Sequence, residues 1–298
     1  NDIIAHKDEY INAVKEKTDE MYSIVNTELA AVHKLEIRLV SGGGLVLPNM
    51  FTENMVLQEG SSAVYGKGES GIVYTVTLDD GNGHTYTASD TAENGEFKAV
   101  ITDAPASMEA YTLTVESPDE KLVIDNVYVG DVYLLSGQSN MEMRFDHSYD
   151  VDDTQYREDA AEIAEKYGDR IKFVVLGNKQ DSDPQFNAPV LSADTVTYTP
   201  EDLENSPYPD IWNDMKASTS QYISLIGMYF AEDILNDSEE NKVIGPIGLI
   251  CTAVGDTDID TWMKSGSAVN YNGHIAPFED YGISGVLWYQ GEADSETD

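Results

Sequence analysis

Apolar residues recur at helical spacing over residues 1–40, where Ile4, Ile11, Val14, Met21, Val25 and Val32 stand three, four or seven positions apart among Lys, Glu and Asp. A single apolar stripe predicts an amphipathic helix that lies on the rest of the chain or meets a partner. The run is too brief to establish a heptad seam. Ser41-Gly42-Gly43-Gly44 then breaks it as a linker would.

Over residues 45–125 the period shortens to two. Val73 to Leu78 alternates apolar residues with Thr, and Asp79-Asp80-Gly81-Asn82-Gly83 turns it back into Thr85-Tyr86-Thr87. Asn94-Gly95 introduces Phe97–Ile101, and Tyr111–Val115 alternates again. Short strands at about ten-residue spacing predict a small β-sandwich.

The texture changes once more over residues 126–298. Val127–Leu135 is apolar without alternation, as in a strand buried on both faces. Helical Thr154–Tyr167, strand Ile171–Leu176, helix Gln221–Leu235, strand Ile247–Ala253 and strand Gly285–Tyr289 follow. Strands alternating with helices predict an α/β domain with a parallel sheet covered on both sides. Residues 178–211, rich in Pro, Asp and Asn with little periodicity, read as a lid, a binding loop or a disordered stretch.

Charge narrows the function classes. Seventeen Lys and Arg against 55 Asp and Glu give a formal net charge of -38 among 298 residues. Such a chain repels phosphate backbones and anionic lipid, so nucleic acid is not an expected partner. Membrane insertion is not expected either, because no run of about 18 apolar residues occurs. The single cysteine, Cys251, excludes an intrachain disulfide and reads as a core residue. The chain begins with Asn and carries no basic-then-apolar leader, as a processed or trimmed chain would.

Three predicted strand ends carry chemistry. Gly130 to Met141 places Ser139 just past a buried parallel strand, where open α/β sheets build their sites. A serine there presents its hydroxyl and its own N–H to a developing oxyanion, or it simply caps the next helix. Gly248 to Thr257 ends a second strand at the bare backbone of Gly255, which offers another N–H or forms an ordinary turn. Gly285 to Asp294 ends a third in Gln290-Gly291-Glu292, with Trp288 or Tyr289 as an apolar wall. Together, a Ser, a bare Gly and a Gln describe a nucleophile among oxyanion donors.

These segments resemble the sialate O-acetylesterase family, within the SGNH-type (GDSL-like) hydrolases. The resemblance is carried by GDVYLLSGQSNMEM at Gly130–Met143, IGLICTAVGDTDIDTWM at Ile247–Met263 and NYNGHIAPFEDYGISGVLWYQGEAD at Asn270–Asp294. LVLPNMFTENMVLQ at Leu45–Gln58 is similar to the family's opening strand region. The likeness covers roughly residues 45–298 and is weakest over 146–210. It implies an SGNH-hydrolase-like three-layer α/β/α domain over 126–298, preceded by the sandwich over 45–125 and the helix over 1–40.

The resemblance further implies that Ser139 is the nucleophile. The N–H groups of Ser139 and Gly255 and the amide of Gln290 would hold the oxyanion, with Asn140 and Glu292 in support. It implies no metal, no cofactor and a secreted or extracytoplasmic setting. Two departures stand out. Relatives show Gly-Gly-Thr where this chain has Gly255-Asp256-Thr257. The family's Asp-x-x-His element, source of the general base, lies beyond WYQGE, and this chain stops at Asp298, so the base is expected on a following segment. Of the five histidines, His6 and His33 on the leading helix and His84 in a hairpin read as surface residues; His147 reads as solvated, though near enough in sequence to reach a cleft, and His274 as a pocket or surface residue or else a substitute base.

The expected function is a serine esterase that releases acetate from an O-acetylated carbohydrate. Net charge leans toward a neutral glycan, although Arg144 is a local cation that would favour a carboxylated sugar such as sialic acid. The alternative is a non-catalytic carbohydrate-binding or assembly protein that keeps the fold, with the leading helix as a route to an oligomer or partner.

Overall fold

The two-residue alternation builds two facing sheets. In the computed structural model, which describes residues 44–144, 154–189, 211–216, 219–241 and 245–296, the first five strands are β1 (Val56–Gln58), β2 (Ser62–Lys67), β3 (Val73–Asp79), β4 (Thr85–Thr91) and β5 (Glu96–Ile101). Tyr74, Val76 and Leu78 of β3 are buried, while Thr75 and Thr77 pair hydroxyls with Ser89 and Thr87 of β4 across the outer face. Asp79 and Asp80 fold the hairpin between them by accepting the N–H groups of Gly81, Asn82 and His84. Asn94 and Gly95 both take positive φ, as an Asn-Gly turn requires. β2 and β5 pair alone, and Tyr74 stacks on Phe97 with centroids 4.5 Å apart between the two sheets.

The helix expected over residues 1–40, with His6 and His33, lies outside the described residues, as do His147 and residues 190–210.

Strand β6 (Ser107–Glu116) leads into β7 (Lys121–Gly137), which runs for 17 residues. Its first half pairs antiparallel with β6, its middle with β1, and its last third lies between two parallel neighbours of the second layer. The change of texture near residue 125 therefore falls inside one strand. Asn126, at φ 54°, marks an irregularity in the β6–β7 register there, and the strand continues past it.

The parallel layer is ordered β9 (Asn213–Asp214), β8 (Ile171–Val175), β10 (Ile247–Cys251), β7, β11 (Gly285–Tyr289), with β9 antiparallel. Two helices cover one face. In the helix Thr154–Tyr167, Ala160, Ile163 and Tyr167 point inward, and in Leu225–Asn241, Met228, Ala231 and Leu235 do so. They meet Leu135, Phe173, Val175, Leu249 and Cys251. The opposite face, with Val132, Leu134, Val174 and Ile250, shares its core with the sandwich through Val56, Trp212, Phe278 and Tyr281. This is the expected α/β class with parallel strands flanked by helices. The edge strand β11 departs from the burial expected of it: Val286, Trp288 and Tyr289 are exposed. No helix among the described residues is long and apolar enough to cross a membrane.

A buried ion pair ties the far edge. Lys172 of β8 is 3% exposed; its Nζ lies 2.5 Å from Asp214 Oδ1 and 4.1 Å from the centre of the Tyr128 ring. Lys216 approaches the other carboxylate oxygen at 3.1 Å. Burial pushes the Asp214 carboxyl up, but the two ammonium groups outweigh it and hold its pKa below the usual carboxylate range. Because the folded-state pKa is depressed, the associated stability is fully present above the unfolded carboxylate pKa of about 4 and is lost as pH falls through the lowered value. Asp214→Ala, which strands the buried Lys172, is expected to cost about 3 kcal/mol in denaturant unfolding at pH 7. Lys172→Met should cost clearly less, and the Asp214→Ala penalty should shrink in acid.

Candidate active site

Three strand ends meet at the carboxyl edge of the parallel layer, with Gly137 opposite Tyr289 and Leu135 opposite Cys251 in register. Gly137 has φ +128°, and a Cβ there would stand 2.0 Å from the Tyr289 carbonyl oxygen, so only glycine lets the two strands approach. The Gln138 N–H donates to that same carbonyl at 2.9 Å. A one-turn helix, α1 (Ser139–Glu142), follows. Gln138 occupies its N-cap and Ser139 is its exposed first residue, so capping does not explain this serine.

The second turn leaves β10. Val254 N–H donates to the Gly137 carbonyl at 3.0 Å, which draws Gly255 against the Ser139 turn. A Cβ on Gly255 would lie 3.0 Å from Glu142 Oε2 and 3.7 Å from Ser139 Cβ. The Gly255 N–H donates to that Glu142 oxygen at 2.7 Å. Asp256 takes φ 57°, a left-handed conformation that a glycine of the relatives' Gly-Gly-Thr adopts freely and that Asp tolerates better than most residues. Its side chain is exposed, so its charge sits at the rim. Thr257 Oγ1 donates to the Val254 carbonyl and accepts the indole N–H of buried Trp262 at 3.0 Å.

The third turn leaves β11. Gln290 Nε2 donates to the Thr257 carbonyl at 3.1 Å and to the Asp294 carboxylate. That bond, with a second from the Ile259 N–H, holds the Asp294 pKa below its ordinary value. Asn140 donates its amide to Glu292, so the two expected supporting residues touch each other across the site. The two oxyanion donors expected from the sequence beyond Ser139 thus have protein acceptors in this arrangement: Glu142 for Gly255, and Thr257 and Asp294 for Gln290.

Sequence reasoning missed Gln138, Glu142 and Asp294. Gln138 is 3% exposed, and its Oε1 accepts the N–H groups of Gly291 at 3.2 Å and Ala293 at 3.3 Å. The residue before Ser139 therefore fixes the turn that carries Gln290. Its place inside GQSNM was the available signal. The spacing of Glu142 three residues from Ser139, on one helical face, was the other.

The described histidines have other work. His274 is fully buried, with Nε2 3.1 Å from the Lys179 carbonyl and its ring edge-on to Trp262. Burial pushes its pKa down to about 4, so it is neutral near pH 7. Together with Asn272, which donates to the Asp181 carbonyl, it ties down residues 178–189. His84 is exposed and pairs with Asp80 at 2.8 Å in the sandwich hairpin. Trp288 stands at the surface, edge-on to Trp262 with centroids 5.5 Å apart. Cys251 is buried, and burial raises its thiol pKa to about 11, in keeping with a core role. Arg144, read from the sequence as a local cation, is 5% exposed.

Gln138→Ala removes the acceptor of the Gly291 and Ala293 N–H groups, at a cost of about 1 kcal/mol for each bond. The expected outcome is a lower unfolding midpoint together with altered proteolytic sensitivity or hydrogen exchange at residues 290–294.

Comparison with known proteins adds three findings. No curated protein matches the chain. A carbohydrate acetylesterase from Xanthomonas citri shares the fold, with a TM-score of 0.63 and 21% identity over 84% of this chain. This chain spans 52% of that protein's length. Residues 129–298, more than half of the chain, match the family model described as carbohydrate esterase, sialic acid-specific acetylesterase. The three converging turns all lie within that match, and the chain belongs to the sialic acid-specific acetylesterase family of carbohydrate esterases.

Proposed function

We propose that this protein is a serine esterase that removes O-acetyl groups from carbohydrate, acting outside the cytoplasm. The observation that carries the reading is the packing of the Ser139, Gly255 and Gln290 turns against one another through Gln138 and the carbonyls of Tyr289 and Gly137. Ser139 Oγ attacks the acetyl carbonyl carbon and gives up its proton to a base. The carbonyl π electrons move to oxygen, and collapse of the adduct expels the sugar alcohol as it regains a proton. Water then attacks the acetyl-serine, releasing acetate and restoring Ser139. The Asp-x-x-His element implied by the resemblance supplies the base.

The oxyanion falls to the Ser139 N–H first. Gly255 contributes when its N–H leaves Glu142, and Gln290 when its amide leaves Asp294. Each such donor is worth about 2.7–4 kcal/mol in a water-excluded site. The exposed Ser139, with neighbouring N–H groups at the end of a parallel strand, is the arrangement this chemistry needs.

A second reading, a non-catalytic carbohydrate-binding or assembly protein, draws on the same engaged donors. Both Gly255 and Gln290 are satisfied without any substrate. Turnover separates the two readings. The full-length protein should release acetate from p-nitrophenyl acetate and from an acetylated xylo-oligosaccharide, and Ser139→Ala should lower kcat by about 10³-fold or more. Retained binding of the oligosaccharide with no Ser139-dependent turnover would establish the second reading.

A further inference from the structure

Of the three tryptophans, Trp212 and Trp262 are buried, while Trp288 keeps 43% of its surface exposed. The exposed ring is nevertheless held in place. It meets Trp262 edge-on with centroids 5.5 Å apart. Trp262 donates its indole N–H to Thr257 Oγ1 at 3.0 Å, and the Thr257 carbonyl accepts the Gln290 amide at 3.1 Å. Trp288 and Gln290 thus reach the same segment from one side of β11, as the two-residue period of a strand requires. Trp288 stands opposite Ser136 in register, three residues ahead of Ser139, and α1 packs against β11. Ile259 and Met263, at the two ends of the short helix that carries Trp262, are exposed as well. The Ile259 N–H donates to Asp294 on the Gln290 turn at 3.0 Å, so this apolar rim is fastened to the candidate site.

We infer that the Trp288 ring is a stacking platform for the pyranose ring of the acetylated sugar, beside the Ser139 turn. The inference rests on the reading of Ser139 as an acetyl-sugar site and deepens it by assigning a specificity-determining residue. A pyranose carries its hydroxyls around the rim and presents C–H groups on its faces. Those slightly positive C–H groups meet the negative face of an aromatic ring, and stacking takes apolar surface of both partners out of water. An edge-on contact occupies at most one face of a ring, which leaves the other face of Trp288 to the sugar. The brace through Trp262 fixes the ring before substrate arrives, so little side-chain freedom is lost on binding. The contact needs no charge and serves a carboxylated and a neutral pyranose alike.

Trp288 supplies its own probe. In full-length Ser139→Ala, acrylamide quenching of tryptophan emission reads mainly Trp288, because Trp212 and Trp262 are buried. The methyl glycoside of an O-acetylated sialic acid, or an acetylated xylo-oligosaccharide, should lower the quenching constant. Xylitol pentaacetate, which carries acetyl groups but no ring, should not. With Ser139 intact, Trp288→Ala should lower kcat/KM for the better of the two sugars about tenfold relative to that for xylitol pentaacetate, mainly through KM. Trp288→Phe, which keeps an aromatic face, should lose less. Quenching that neither sugar reduces overturns the inference, as does equal protection by xylitol pentaacetate. So does a Trp288→Ala loss that is the same on ring and acyclic esters, the result a purely structural brace would give, or a Trp288 that acrylamide cannot reach in the full-length protein. Protection of Trp288 by a sugar without Ser139-dependent acetate release refutes the esterase reading and leaves the platform standing. Ser139-dependent release without protection does the reverse.

Discussion

Where a Cβ at position 137 would stand, the Tyr289 carbonyl oxygen is 2.0 Å away, and the rest of the site hangs on that approach. Because residue 137 is glycine, the end of β7 lies flush against the end of β11, and the next residue, Gln138, donates its N–H to the same carbonyl. The Gln138 side chain then reaches the two N–H groups of the following turn. On the other flank, the Gly137 carbonyl accepts Val254 N–H and brings in the Gly255 turn. A single glycine thus sets the spacing of three turns, each of which comes from a distant part of the chain. Any side chain at this position forces the turns apart before it affects Ser139 itself.

Acidic residues outnumber basic ones threefold, and the structure shows how a folded chain accommodates them. Many carboxylates act as acceptors for backbone N–H groups in turns rather than as partners for scarce cations. Asp79 and Asp80 do so in the sandwich hairpin, and Asp258 and Asp260 do so around Trp262. Glu142 and Asp294 extend the habit to the site, the first on a backbone N–H and the second on both a backbone and a side-chain amide. Charge-assisted bonds of this kind stabilise turns that lack regular hydrogen-bond ladders. The same chemistry that holds the turns gives them their negative field.

Local rules made much of this legible from sequence. Alternation in Val73–Leu78, the Asp-Asp-Gly-Asn-Gly hairpin, the Asn94-Gly95 turn and the helical spacing in Thr154–Tyr167 each depend on neighbours a few residues away, and each element formed where the pattern placed it. Ser139, Gly255 and Gln290 were legible because strand ends in a parallel sheet fall on one edge. The change of texture after Asp125 reads as a domain boundary, yet β7 absorbs the irregularity at Asn126 and runs on. The burial of β11 was misread because an apolar run looks the same on an edge as in the middle of a sheet. Gln138 and Glu142 stayed hidden for a different reason. A polar residue at the start of a helix looks solvated until its acceptor or donor, more than a hundred residues away, is known.

The length of β7 has a consequence for how the site comes into being. Gln138 and Gly291, joined by a hydrogen bond, are 153 residues apart in the chain. Closing so long a loop costs entropy that local contacts cannot repay, and pairings of this kind tend to form late in folding. On a ribosome, the strand that leads to Ser139 emerges and meets β6 long before β11 exists. The chain can therefore complete its sandwich-side pairing while Ser139 is still without the turn that frames it, and the long-range edge has to be closed across the whole of the second domain.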